Sequence, residues 1–315
     1  GNGPGAEPSD RTMTPRPYHR PVLESEVVSM FQPVPDGIVV DATFGGGGHT
    51  SALSASFGER VRMIGIDRDP DARANAGDVT VLAGTFGDLD SLLDGIGIGS
   101  ISGALFDLGI SSHQVDEPSR GFSYRVDGPL DMRMDPTQGL SAADVVNTAS
   151  EQDLVRILRT YGEERFASSI ARQIVRHRPF TRTLELAEVI AEAVPAAVRR
   201  AGHPARQAFQ ALRIEVNGEL DALRGGLEAA LSRLTVGGRC VVISYHSLED
   251  RIVKRRFTDL TTTEQPHPDL PVREAPAPAP FAAVTRKAMK PSDEEIASNP
   301  RARSARLRCI ERVAA

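Results

Sequence analysis

Four consecutive glycines, Gly45-Gly46-Gly47-Gly48, restrict the fold of this chain more than any other feature. They follow the β-branched run Ile38-Val39-Val40 and precede a stretch with helical character. Such a run is very poor inside a helix or a strand, so it must form the turn between them. There a backbone without side chains can lie against a ligand at the carboxyl end of a sheet. A tight strand-to-helix turn with no ligand is the plainer alternative. Three further short apolar runs follow at helix-length intervals: Val61 to Ile66, Val79 to Leu82 and Ile101 to Phe106. The alternation predicts βαβ units and a mostly parallel sheet.

After Gly109 the alternation stops. A glycine- and proline-punctuated stretch from Ile110 to Gly139 leads into helical periodicity without intervening strands. Leu154, Ile157, Leu158 and Tyr161 share one helix face, as do Leu186, Val189, Ile190 and Ala193. A long helix carrying Leu220, Leu223, Leu227, Leu231 and Leu234 is expected to end at Gly237-Gly238, followed by a strand over Cys240 to Ile243. Ala305 to Ile310 alternates apolar and charged residues, which predicts an antiparallel strand at a sheet edge. The expected architecture is therefore α/β and Rossmann-like, with an inserted all-helical subdomain. Residues 18–115 and 206–315 form the discontinuous α/β domain, 116–205 form the insertion, and 1–17 are a disordered lead. The proline-rich stretch 261–281 reads as an extended loop.

Composition narrows the function classes. With 40% hydrophobic and 25% charged residues the chain can bury a core unaided. Its two cysteines, Cys240 and Cys309, allow neither a disulfide framework nor a zinc cluster, which fits a reducing cytoplasm. No apolar run is long enough for a membrane span, and no signal peptide is visible, so a cytoplasmic location with no membrane partner is expected. A net charge of -5 disfavours indiscriminate coating of nucleic acid. Basic residues still cluster at Arg165–Arg182, which holds five arginines and no acid, and at Arg251–Arg256 and Arg301–Arg312. Each is a solvated face or a nucleic-acid contact.

The cofactor follows from charge. The dinucleotide fingerprint G-x-G-x-x-G would need a glycine where Thr50 stands, and Asp41 would face a pyrophosphate unfavourably. S-adenosylmethionine, with a sulfonium, an amino group and no phosphate, suits an acid there better. Asp67 ends the second strand, where α/β nucleotide-binding domains place the carboxylate that grips ribose hydroxyls. An N-cap role is the alternative, but Asp69 is better placed for it. Phe86 either stacks on adenine or packs in the core.

These residues resemble a known family, the bacterial small-subunit ribosomal RNA methyltransferases called MraW. The matching segments are His19-Arg20-Pro21-Val22-Leu23, Asp41 to Thr50, Gly65-Ile66-Asp67-Arg68-Asp69-Pro70 and Asp107-Leu108-Gly109-Ile110-Ser111-Ser112. Arg120 to Tyr124, Gly128 to Asp135, Gln210 to Asn217, Ser244 to Arg251 and Asn299 to Ser304 continue the series in order. The resemblance implies N4-methylation of a cytidine in the decoding region of 16S ribosomal RNA, with the small ribosomal subunit as partner. It also implies cofactor contacts at Gly47, Gly48, His49, Asp67, Phe86, Asp107 and Gln114. One position departs: His113 stands where the family commonly has proline, just before Gln114.

The exocyclic amine of cytosine is a poor nucleophile, so transfer depends on in-line positioning and on an acceptor that supports charge growing on N4. Asp107 is the candidate catalytic acceptor. Related base N-methyltransferases carry an Asp- or Asn-Pro-Pro-aromatic segment here, whereas this chain reads Asp107-Leu108-Gly109-Ile110. The alternative gives Asp107 to the cofactor and the base to Ser111, Ser112, His246 or the Asp131–Asp135 segment. His246 is a second catalytic candidate, though a lone histidine is more often structural. Cys240 suggests covalent catalysis, but its strand context predicts burial and inertness. The Arg165–Arg182 run makes the inserted domain RNA-facing. No constellation requires a metal, and a homodimer is compatible with the chain. A DNA cytosine N4-methyltransferase, a non-catalytic ribosome-binding factor and an NAD-dependent enzyme are the competing readings.

Overall fold

The computed structural model describes residues 21–74, 76–110, 112–262 and 278–314. The expected lead 1–17, His19, Arg20, Ser111 and most of the proline-rich stretch lie outside the described residues, as do the side chains of Ser112 and His113.

Among the described residues seven strands form one sheet: β1 (Gly37–Asp41), β2 (Val61–Asp67), β3 (Thr80–Ala83), β4 (Ile101–Asp107), β5 (Leu234–Ser244), β6 (Phe281–Ala283) and β7 (Arg306–Arg312). Their order is β3-β2-β1-β4-β5-β7-β6, with β1 to β5 parallel and β7 antiparallel to both β5 and β6. Ile101 to Phe106 are all buried, as an unbroken apolar run in a parallel strand covered on both faces must be. Because β1 pairs with β2 on one side and β4 on the other, the chain's winding reverses between β1 and β4. That switch point is where open α/β sheets hold ligands, outside the carboxyl ends of the strands.

Two expectations are corrected. The long helix is Glu219–Arg233, and β5 begins at the next residue, so Gly237-Gly238 lie inside a strand and do not cap the helix. Ile101 pairs with Leu234 but Gly103 with Arg239, so β5 carries extra residues at an irregularity where Gly237 takes φ 82°. The helix end is fixed by Arg233, whose guanidinium donates to Asp90, Asp94 and the Ile98 carbonyl. The second correction concerns β7, which forms as expected but is not the edge. The three-residue β6 pairs along its outer side.

Between β4 and β5 the named elements are all helical. Leu154, Ile157, Leu158, Leu186 and Ile190 are buried in one apolar cluster that runs from Phe122 to Leu212, separate from the two clusters on either face of the sheet. The helix Arg206–Asn217 gives Ala208, Phe209, Ala211 and Leu212 to that cluster. Its last residue, Asn217, bonds to the same block through its side chain, Oδ1 accepting from Met134 N and Nδ2 donating to Met132 O, while its carbonyl accepts from Arg68 just past β2. Glu163 makes a second tie, accepting from Ser247 and Arg251 of the helix Ser247–Thr261. The helical block is thus held to the sheet at residues close to the switch point.

Candidate active site

The glycine turn is built by internal packing. Gly45 and Gly47 adopt φ 52° and 72°, a left-handed backbone that favours glycine. A Cβ on Gly47 would lie 2.8 Å from the Phe44 ring, and one on Gly48 2.7 Å from Pro21. The same ring lies 2.7 Å from where a Cβ of Gly65 would be, so Phe44 is clamped between turn and β2. Gly48 opens the helix Gly48–Phe57.

Asp41 does not do what its charge suggests. It is 2% exposed; Thr50 Oγ1 donates to Oδ2 at 2.8 Å and Thr43 N to Oδ1 at 3.2 Å. Burial pushes its pKa up, against the lowering influence of His49 and Thr50. The carboxylate is buried and spent on closing the turn, so the cofactor reading does not rest on it. The acids that border the turn are its neighbours across the sheet. Asp67 Oδ2 accepts from Gly45 N at 2.7 Å and Oδ1 from Asp69 N at 2.8 Å. Desolvation raises its pKa, the two backbone donors opposing.

Asp107 ends β4 with its side chain 25% exposed. Its N–H donates to Thr43 Oγ1 at 2.6 Å, and Oδ1 accepts from the Tyr245 hydroxyl at 2.8 Å. Oδ2 lies 3.4 Å from His49 Nε2. His49 is 6% exposed and among the described residues neither ring nitrogen has an aligned hydrogen-bond partner. Burial opposes its protonation, but Asp107, then Asp41 and Glu24, outweigh it and raise the imidazole pKa. A buried, under-satisfied imidazole beside a part-exposed carboxylate is characteristic of a functional site.

Phe86, Gln114 and His246 are each engaged by partners of their own. Phe86 opens the turn Phe86–Asp88 and meets Phe106 edge-on at 6.1 Å, with the 219–233 helix so close that a Cβ on Gly226 would lie 2.3 Å from Phe86 O. Gln114 is buried and donates to Asp69 Oδ2 at 2.8 Å, an oxygen shared with Arg120. His246 caps the 247–261 helix: Nδ1 accepts from Glu249 N at 3.5 Å, and Nε2 lies 3.1 Å from Glu249 Oε1. Glu219, His246 and Glu249 converge to within 4.8 Å. Arg213 already donates to both Glu219 oxygens at 2.8 Å, so the positive charge in this cluster comes from the protein. Residue patterns alone did not single out Thr43 or Tyr245, and gave Asp69 only as a helix cap, a role it fills by accepting from Asp71 N. The adjacency of the β4 and β5 ends is the signal that would have exposed Tyr245.

Two of the five arginines from 165 to 182 hold the helical block together. Arg178 donates to the carbonyls of Val146 and Ala149, and Arg182 pairs with Asp127. Arg172 reaches Glu151 at 4.0 Å, while Arg165 and Arg176 are exposed with no ion pair among the described residues. In the other two basic stretches Arg251, Arg256, Arg301, Arg306 and Arg308 all meet carboxylates. Cys240 and Cys309 are buried, burial lifting the first thiol well above its usual range and the second to about 12. Neither is a nucleophile. Among the described residues no helix is long and apolar enough to cross a membrane.

Residues 16–313 match the model of the MraW methylase family. A protein of Thermobifida fusca named ribosomal RNA small subunit methyltransferase H is 48% identical, the alignment covering 99% of this chain and 98% of that protein. Proteins of the same name from Mycolicibacterium smegmatis and Heliobacterium modesticaldum are 49% and 46% identical, over 99% and 94% of this chain and 88% and 99% of their own lengths. This chain belongs to the MraW methylase family, and its cofactor is S-adenosylmethionine.

Proposed function

We propose that the chain methylates N4 of a cytidine in the decoding region of 16S ribosomal RNA, acting in the cytoplasm on the small ribosomal subunit. The observation that carries this reading is the Asp107 carboxylate, part-exposed at the switch point in a chain whose relatives are named as small-subunit ribosomal RNA methyltransferases.

The residues at this edge fit S-adenosylmethionine. Two carboxylates that are not fully buried, Asp67 and Asp107, touch the glycine turn from strands on either side of β1, and neither ring nitrogen of His49 makes an aligned hydrogen bond among the described residues. Carboxylates suit a ligand bearing a sulfonium and an ammonium. In this reading Asp67 takes the ribose hydroxyls, while Gly47, Gly48, His49, Phe86 and Gln114 line the rest. When bound, the cofactor supplies an electrophilic methyl group. Asp107 orients the cytosine amine by accepting its N–H and takes the proton that N4 sheds. The helical block of residues 116–205 faces RNA, with Arg165 and Arg176 available to phosphates.

The test is labelled-methyl incorporation from S-adenosylmethionine into small subunits and naked 16S RNA from cells lacking this protein, followed by nucleoside analysis. N4-methylcytidine is expected. A different methylated nucleoside, or none while the cofactor is bound, overturns the reading.

A further inference from the structure

A carboxylate that accepts an amine proton must present a lone pair in a fixed direction, because misplacing the acceptor sacrifices most of the orientation advantage. Asp107 is anchored at its backbone by Thr43, but its side chain is fixed from β5. Tyr245, one residue past that strand, donates to Oδ1 at 2.8 Å. We propose that Tyr245 is a positioning residue for methyl transfer, pinning Oδ1 of Asp107 so that Oδ2 is presented to the cytosine amine. The proposal rests on the reading of Asp107 given above.

Tyr245 is itself held on several sides. Its N–H donates to Glu249 Oε2 at 2.8 Å, and Glu249 is buried within the capping box of the 247–261 helix. Its ring lies against Gly109, where an added Cβ would stand 3.4 Å from Cδ2 and where φ is 103°. Leu108 N donates to Ile243 O at 2.9 Å, which holds the ends of β4 and β5 together. The acid and its clamp therefore sit on adjacent strand ends and move as one piece. His246 contributes through this arrangement, as the cap that fixes Glu249.

The ionisable groups facing the pair are His49 on the 48–57 helix, Asp41 on β1, Glu249 on the 247–261 helix and Glu295 on the helix Asp293–Ser298. Glu24, on the helix Glu24–Phe31, acts through His49. Burial, and after it the Asp107 charge, push the phenol well above 10, so the hydroxyl remains a donor at any working pH. As N4 gains the methyl group it sheds one proton, and Oδ2, which among the described residues has only the His49 ring nitrogen 3.4 Å away and no aligned donor, is the oxygen placed to take it.

The experiment compares wild type with Tyr245→Phe in single-turnover methylation of small subunits from pH 5 to 9, with cofactor affinity measured by calorimetry. The expected result is a rate lower by about tenfold to a hundredfold, with the acid limb of the profile displaced upward by about one pH unit and with unchanged cofactor affinity and RNA KM. A wild-type rate and profile in Tyr245→Phe overturns the proposal, as does a loss of rate matched by equal losses of melting temperature and cofactor affinity. If wild type itself makes no N4-methylcytidine, the reaction reading has failed, and the contact is tested alone by the alkaline titration of the phenol. Read as tyrosinate absorbance against Tyr245→Phe, its midpoint should fall in Asp107→Asn, and an unmoved midpoint overturns the assignment.

Discussion

At the carboxyl edge of the sheet, Asp41, His49, Asp67 and Asp107 gather around one turn with backbone donors and threonine hydroxyls between them. In the helical block most charged residues lie on outer faces over an apolar core, and most of its arginines neutralise a nearby acid or cap a helix end. The first region keeps charge in a place where it is unfavourable, which a fold retains only when something else requires it. The second uses charge in ordinary ways, and little of it is left over for a partner. The contrast teaches that a run of basic residues says less about binding than a small number of part-buried acids at one strand edge says about chemistry.

The comparison can be broken at several points. Asp107→Asn should lower turnover by about 100- to 10,000-fold, the range for loss of a proton acceptor, while the variant folds and melts as wild type. Full turnover in steady-state assays would move Asp107 to the structural side with Asp41. In the helical block, Leu158→Ala removes a side chain that is 1% exposed and should cost about 2–5 kcal/mol. Calorimetry sharpens the comparison further, because a separate early transition would show that the block melts before the sheet. The smallest effect belongs to the joint change Arg165→Ala and Arg176→Ala. It should leave stability untouched and reduce the slope of log affinity against log salt by about 0.7 for each phosphate of single-stranded RNA that is no longer neutralised. An unchanged slope would show that neither arginine of the helical block meets RNA.

The sheet was legible from β-branched runs because parallel strands buried on both faces leave an uninterrupted apolar signature. The helical character of the chain between β4 and β5 was legible for the matching reason, a shift of period from strand to helix. The misread points were local. Gly237-Gly238 read as a helix stop because glycine marks C-caps and strand irregularities alike, and only the pairing of β4 with β5 tells them apart. A three-residue strand such as β6 has too few side chains to show any period. At the site, Asp41 and Asp107 look equivalent in sequence, each an acid after an apolar run. What distinguishes them is a threonine hydroxyl nine residues on in one case and a phenol 138 residues away in the other.

That last separation bears on how the protein is made. Synthesis releases the glycine turn and Asp107 early, but Tyr245 leaves the ribosome only after the whole helical insertion has followed. Until β5 arrives, β4 lacks its second neighbour, and its unpaired edge is open to wrong partners. In a nascent chain or a truncated product ending before β5, the Asp107 carboxylate therefore lacks its Tyr245 donor, which arrives only as the sheet closes.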